Sequence, residues 1–287
     1  MISLLAVYSS IASLAFKNDA STFRFLFKHG LVLLTGAVIM VAASRVRFTV
    51  YSRLSQLLIG VVVVLLLLTL VVGMSLNSAS RWMEIPGLGI TFQTSDLAKV
   101  VLITYLARVL AKRGDEPWTF REVLLRLMLP VGAVCGLILP ANFSTAALLF
   151  GVCLLVMFLG RVPIKHMALV GLIAGGAFAL LLLLAKTSPG LLPRLDTWNT
   201  RMASFGQEDH EANYQVEHAK IAIATGGLLP NGPGSGGSRN YLPHPYSDMI
   251  YAFIVEEYGS ILGGIGLLLL YLILLFRASR VARKSEK

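Results

Sequence analysis

The 18 residues from Leu57 to Met74 carry no charge and only one hydroxyl, that of Thr69. Met167 to Ala185 and Ile261 to Phe276 repeat the pattern. A run of this length and polarity suits one bilayer-spanning helix of roughly 20 residues. The whole chain agrees. Of its 287 residues 56% are hydrophobic and 14% charged, against about 25% charged in soluble domains. The expected fold is therefore an all-α polytopic membrane protein, with about eight spans near residues 1–16, 29–44, 54–75, 95–111, 123–140, 144–160, 166–185 and 249–276.

A net charge of +10 would fit a nucleic-acid binder, but its distribution does not. With the N-terminus inside, the inner turns and tail hold Arg45, Arg47, Arg53, Lys112, Arg113, Arg121, Arg126, Arg161, Lys165, Arg277, Arg280, Arg283, Lys284 and Lys287. Only four of the 15 acids share that side, namely Asp115, Glu116, Glu122 and Glu286. Positive charge kept on the cytoplasmic side is the usual orientation rule. Both termini are thus expected inside, and the basicity reflects topology rather than nucleic acid. Cys135 and Cys153 lie within apolar spans and read as small buried hydrophobes, not as a disulfide or metal pair. The first apolar segment continues into the polytopic pattern and needs no cleavage as a signal peptide.

Three outer segments are expected: a loop from Lys17 to Lys28, a second from Ser75 to Ser95, and a much longer one over residues 187–248. Loops beyond about 12–15 residues are usually functional or disordered. The third contains a helix-like piece, Gln215 to Thr225, which Gly226-Gly227 should stop, since glycine readily supplies the left-handed residue after a helix. Pro230 to Arg239 is too rich in glycine and proline for regular structure. No internal repeat is visible, unlike many transporters.

Polar groups gather between Asn213 and Gly259, beside very apolar segments. Polar residues at a membrane are costly and usually mark a site or pathway. Glu208-Asp209-His210-Glu211 reads either as a solvated acidic patch or as the seat of a general base. Adjacent acids raise one another's pKa, and His210 is a rival base. Lys99 shares a helix face with Ser95 and Asp96. It either pairs with Asp96 or faces an anionic head group, where Arg81, Arg201, Lys220 and Arg239 can join it, since a phosphate needs several donors. Asp248 can cap a helix. Glu256 and Glu257 lie one to two turns deeper and need partners, such as Lys99 or Lys220. Asn142, Ser144 and Thr145, after Pro140, can satisfy freed backbone groups. No Walker loop, Gly-x-Ser-x-Gly, zinc spacing or haem motif is present.

Taken in order, these residues resemble a known family. Arg81-Trp82, Gly87, Gln93-Thr94-Ser95-Asp96-x-x-Lys99 and Tyr105-Leu106-Ala107 are similar to the Arg-Trp … Gln-Pro-Ser-Glu-x-x-Lys … Tyr-Leu-Ala signature of the FtsW/RodA/SpoVE (SEDS) proteins. Val7-Tyr8-Ser9-Ser10 resembles their first span. Tyr214-Gln215, Lys220 to Ile223, Gly226-Gly227, Gly232-x-Gly234, Leu242-Pro243, Asp248-x-Ile250-x-Ala252 and Glu256-Glu257-x-Gly259 follow their long-loop pattern. The resemblance implies a single SEDS-type transmembrane domain over residues 1–287 in a bacterial cytoplasmic membrane. It implies a peptidoglycan glycosyltransferase that polymerises lipid II beside a class B penicillin-binding transpeptidase and other division proteins. It makes Asp209 the catalytic base, with Glu208 as fallback, because the family's aspartate precedes Pro-x-Gly-x-Gly-Tyr-Gln and the run here is one residue shorter. Arg81, Lys99, Arg201, Lys220, Gln215, Asp248, Glu256 and Glu257 become substrate-binding candidates, with a divalent cation as an optional cofactor.

The sequence departs from the family where Pro140-Ala141-Asn142-Phe143-Ser144-Thr145 replaces Gln-Pro-Asp-x-Gly-Thr, and where Thr94 and Asp96 replace proline and glutamate. The family has about ten spans, so this chain reads as a C-terminally incomplete copy. The resemblance is nearer to FtsW than to RodA, through the Pro140–Thr145 run and Glu256-Glu257-Tyr258-Gly259. Two readings of other classes remain: a flippase for a lipid-linked precursor, and a non-catalytic scaffold of the division complex. A flippase needs polar residues at several depths, whereas here they gather at the outer surface.

Overall fold

The computed structural model describes residues 22–72, 74–76, 79–85, 90–114, 116–187, 210–238 and 249–284. The first expected span, residues 1–16, lies outside them. Two compact units form: residues 46–203, and residues 1–45 with 204–287.

Helices occupy the other seven expected segments. They are α1 (Thr22–Arg45), α2 (Phe48–Val72), α3 (Thr94–Arg113), a composite of α4 (Phe120–Glu122), a π-helical stretch (Val123–Met128) and α5 (Leu129–Ile138), then α6 (Phe143–Leu159) and α7 (Ile164–Thr187), and a C-terminal helix beginning at Ile250. Among the described residues three helices are long and apolar enough to cross a membrane: Leu26–Arg45, Phe48–Val71 and Ile250–Lys284. Two expectations need correcting at the ends. α1 starts at Thr22, so Lys28 lies in a helix and not in a loop. The last helix runs on to Lys284, past the apolar run, because Arg283 and Lys284 in its final turn suit the negative end of the helix dipole.

The chain is mostly helical, as expected, and carries one small sheet besides. Where a loop is expected from Ser75 to Ser95, the chain forms an antiparallel meander of β1 (Met74–Leu76), β2 (Ala79–Ile85) and β3 (Ile90–Gln93). Trp82 pairs with Met74 on one side and Gln93 on the other, and Ile85 pairs with Ile90. Strand pairing satisfies backbone groups that a structureless connection would leave open.

In the unit of residues 46–203 the core is built from one face of each helix. Val62 and Leu66 of α2, Leu102 and Leu106 of α3, Val131 and Val134 of α5, and Leu149 and Cys153 of α6 are all buried in one cluster. Both cysteines are free and buried, as expected. Several polar groups beside this core are paired. Thr69 Oγ1 donates to Thr94 Oγ1 at 3.1 Å, and Arg108 donates to Ser52 Oγ at 2.7 Å and to Gln56 Oε1 at 3.2 Å. Asn142 caps α6 by accepting from Thr145 N at 3.3 Å, the backbone role anticipated for that junction.

The turn between α3 and α4 is fixed by charge. Thr119 and Glu122 form a capping box, and Arg113 grips both Glu122 oxygens while lying 5.1 Å over the Trp118 ring. These donors, the Arg113 bond foremost, hold the Glu122 carboxyl at about 2, well below its ordinary 4.5.

Candidate functional site

The site is built in the unit that contains the C-terminal part of the chain. Its first element, α8 (His210–Thr225), fills the helical piece expected within the long loop. Gly227, at φ 62°, ends it as anticipated. Ala219 and Ala222 of α8 pack on Ala252 and Met249, small residues that let two backbones approach closely. At Gly226 the approach is closest: a Cβ there would lie 2.3 Å from the carbonyl oxygen of Val255.

The opposing helix does not run straight. α9 (Ile250–Tyr258) stops at Gly259, whose φ 74° and ψ 164° no α-helix contains. A π-helical stretch (Gly259–Gly266) and α10 (Leu267–Lys284) follow. Breaking a helix frees backbone groups that lipid cannot satisfy. Here the glycine-rich segment after α8 supplies the partners. Asn231 N and Gly232 N donate to the carbonyl of Glu257, each at 3.0 Å, and Ser260 N donates to that of Gly227 at 2.9 Å. Asn231 Nδ2 donates to the carbonyl of Glu256 at 3.1 Å.

The two glutamates complete this clasp. Glu257 Oε1 accepts from Gly234 N at 2.8 Å. Glu256 Oε1 accepts from Gly237 N at 3.0 Å and Ser238 N at 3.3 Å. Both side chains are buried, Glu257 completely and Glu256 to within 7%. The anticipated partners of Glu256 were lysines, and the structure gives backbone amides instead. Such donors stabilise a buried carboxylate. The second oxygen of Glu256, Oε2, is buried without a hydrogen-bond partner.

Beside the clasp opens a cleft of about 530 Å³, walled by His218 and Thr225 of α8, by Asn231, Ser235 and Ser238, and by Glu256. Sequence reasoning missed His218. The available signal was its place four residues after Tyr214, on the same helix face; the two rings lie 4.2 Å apart.

Gln215 is half-buried on α8 and Lys220 is exposed; neither lines the cleft. In the other unit, Lys99 Nζ lies 2.6 Å from Asp96 Oδ1, so the anticipated internal pair is present. Arg81 falls on β2. Arg201, Glu208, Asp209 and Asp248 lie outside the described residues. Among the described residues no three His, Cys, Asp or Glu side chains come together as a metal site.

This arrangement, a membrane helix broken at a glutamate pair and clasped by a glycine-rich segment, belongs to a membrane protein with a polar site at its broken helix. A family model described as the cell cycle protein FTSW_RODA_SPOVE matches residues 1–287, and the chain belongs to the FtsW/RodA/SpoVE family. It is 30% identical over 290 residues to the probable peptidoglycan glycosyltransferase FtsW of Coxiella burnetii, covering 99% of this chain and 75% of that one. The corresponding protein of a Geobacter species is 31% identical, with 99% and 76% covered. Stage V sporulation protein E of Bacillus subtilis is 30% identical, with 98% and 75% covered. The chain spans 66% of the length of a further FtsW relative, from Nitrosococcus halophilus. In fold it is similar to the Thermus thermophilus rod shape determining protein RodA, with a TM-score of 0.58 at 22% identity over 96% of this chain and 71% of that one. A chain from a peptidoglycan synthase complex that coordinates polymerisation and crosslinking gives 0.61 at 24% identity, over 96% and 75%.

Proposed function

We propose that this protein is a peptidoglycan glycosyltransferase that polymerises lipid II during cell division, in the bacterial cytoplasmic membrane and beside a class B penicillin-binding transpeptidase. The observation that carries the reading is the family match across the whole chain. Relatives named for that activity support it, and the similarity to a synthase complex supports the partner.

In the mechanism, a sugar 4-hydroxyl of one lipid II attacks the anomeric carbon of a second, lipid-pyrophosphate-linked glycan. Asp209, or Glu208 in its place, removes the hydroxyl proton. The new C–O bond forms as the bond to the pyrophosphate breaks, and Arg81, Lys99, Arg201 and Lys220 stabilise the departing anion. Gln215, Asp248, Glu256 and Glu257 belong to the glycan side of the same site. Residues 187–248 form one long extracytoplasmic loop of a single transmembrane domain, and both termini lie in the cytoplasm. Glycan strands formed from labelled lipid II test the activity. Lipid II crossing a bilayer without polymer points instead to a flippase.

Lys99→Ala should weaken lipid II binding, with Lys99→Arg losing less. Because Lys99→Ala leaves Asp96 unpaired, the double variant Lys99→Ala/Asp96→Asn is the control. Recovery of both folding and activity in the double variant assigns Lys99 to the ion pair alone. For topology, single cysteines at Ser235 and Ser285, in a background without Cys135 and Cys153, are exposed to an impermeant maleimide in intact cells. Labelling at Ser235 alone is expected, and labelling at Ser285 alone reverses the orientation.

A further inference from the structure

We propose that the cleft between α8 and the glycine-rich segment is a subsite for uncharged sugar, holding glycan rather than pyrophosphate, with Glu256 as its recognition residue. The inference rests on the glycosyltransferase reading and divides its substrate between two places.

The lining decides the chemistry. Three hydroxyls (Thr225, Ser235 and Ser238), an amide (Asn231), an imidazole (His218) and one carboxylate (Glu256) face the space, and among the described residues no lysine or arginine lines it. A phosphate or pyrophosphate needs several cationic donors and is repelled by a carboxylate. A sugar presents neutral hydroxyl and amide groups, both donors and acceptors, which this set of side chains matches. A volume of about 530 Å³ lies within the roughly 300–1,000 Å³ usual for small-molecule sites.

The buried oxygen decides the residue. Glu256 Oε1 is occupied by the amides of Gly237 and Ser238, whereas Oε2 is buried with no donor. A buried carboxylate oxygen left without a donor carries an uncompensated desolvation cost. A sugar hydroxyl or N-acetyl N–H entering the cleft supplies the missing donor. A Cβ at Gly236 would sit 2.8 Å from Oε2, so any side chain at that position would crowd this oxygen. His218, whose ring lies 4.2 Å from that of Tyr214 and tilted to it, adds ring surface at the cleft wall, where the apolar face of a sugar ring can pack.

The test uses the purified full chain in detergent and saturation-transfer NMR with a β-1,4-linked N-acetylglucosamine tetrasaccharide. Glycan polymerisation is measured on the same preparation. Glu256→Gln keeps a carbonyl to accept from Gly237 and Ser238, but offers an NH₂ where the sugar needs an acceptor. Binding should weaken about tenfold or more, as for a lost hydrogen bond to a charged group. Thr225→Val should weaken it about threefold. Its hydroxyl donates only to carbonyls of its own helix, so the fold is kept. Binding that is unchanged in both variants overturns the assignment. So does absence of tetrasaccharide binding by a wild-type preparation that still polymerises, a result that leaves the glycosyltransferase reading standing. Failure of that reading looks different: tetrasaccharide bound in a Glu256-dependent manner by a protein that forms no glycan strands.

Discussion

Asp209→Asn should reduce glycan polymerisation from lipid II by about 10²–10⁴-fold, the usual cost of losing a positioned general base. The asparagine keeps the size and much of the hydrogen bonding of the aspartate, yet it cannot take a proton at neutral pH. Expression, membrane insertion and association with the transpeptidase should therefore stay at wild-type levels. Asp209 immediately precedes α8 in sequence, and the C-terminal half of that helix is locked by Ala219, Ala222 and Gly226 onto α9. Glu208→Gln and His210→Gln, made in parallel, should cost far less. If Asp209→Asn polymerises normally and Glu208→Gln does not, Glu208 is the base. Three active variants together would remove the carboxylate from the mechanism.

Gly259→Ala should abolish most of the folded protein. The backbone there, φ 74° and ψ 164°, lies in a region that side-chain-bearing residues essentially avoid, at a cost of about 1–3 kcal/mol. A Cβ would also fall 2.6 Å from the carbonyl carbon of Leu229 and 2.7 Å from its oxygen. Those atoms are backbone, pinned by the neighbouring bonds from Ser260 N to Gly227 and from Ile261 N to Leu228, so they cannot move aside cheaply. Against a total stability of about 5–15 kcal/mol, the combined loss is large. Gly151 in the middle of α6 has open space where its Cβ would be, and Gly151→Ala should leave folding unchanged or slightly improved. Monodisperse yield in detergent and the thermal midpoint measure both. Equal values for the two variants would mean that the break at Gly259 is not what holds the clasp.

The helices could be read from the sequence because a bilayer demands long apolar runs, and Leu57 to Met74 meets that demand without any tertiary context. The end of α8 was equally readable, since Gly226-Gly227 is a local signal. The break at Gly259 was not. Residues 249–276 read as one uninterrupted span, and only the returning glycine-rich segment, more than 20 residues earlier, makes an interruption affordable. The partners of Glu256 and Glu257 were missed for the same reason. An acid in sequence invites a search for a lysine, whereas the structure pairs them with amides of Gly234, Gly237 and Ser238, and an amide leaves no mark in a sequence. The strands of residues 74–93 escaped notice because short segments broken by serines and glycines carry too little alternation. Lys99 illustrates the opposite case: its three-residue spacing from Asp96 was enough, and the pair is there at 2.6 Å.

The most direct measurement places the purified protein, together with a class B transpeptidase, in liposomes containing fluorescent lipid II. Products are then resolved by length on a gel, alongside Asp209→Asn. The proposed function predicts a ladder of glycan strands from the wild type and none from the variant. Lipid II that crosses the bilayer while no strand forms, equally for both proteins, would contradict it.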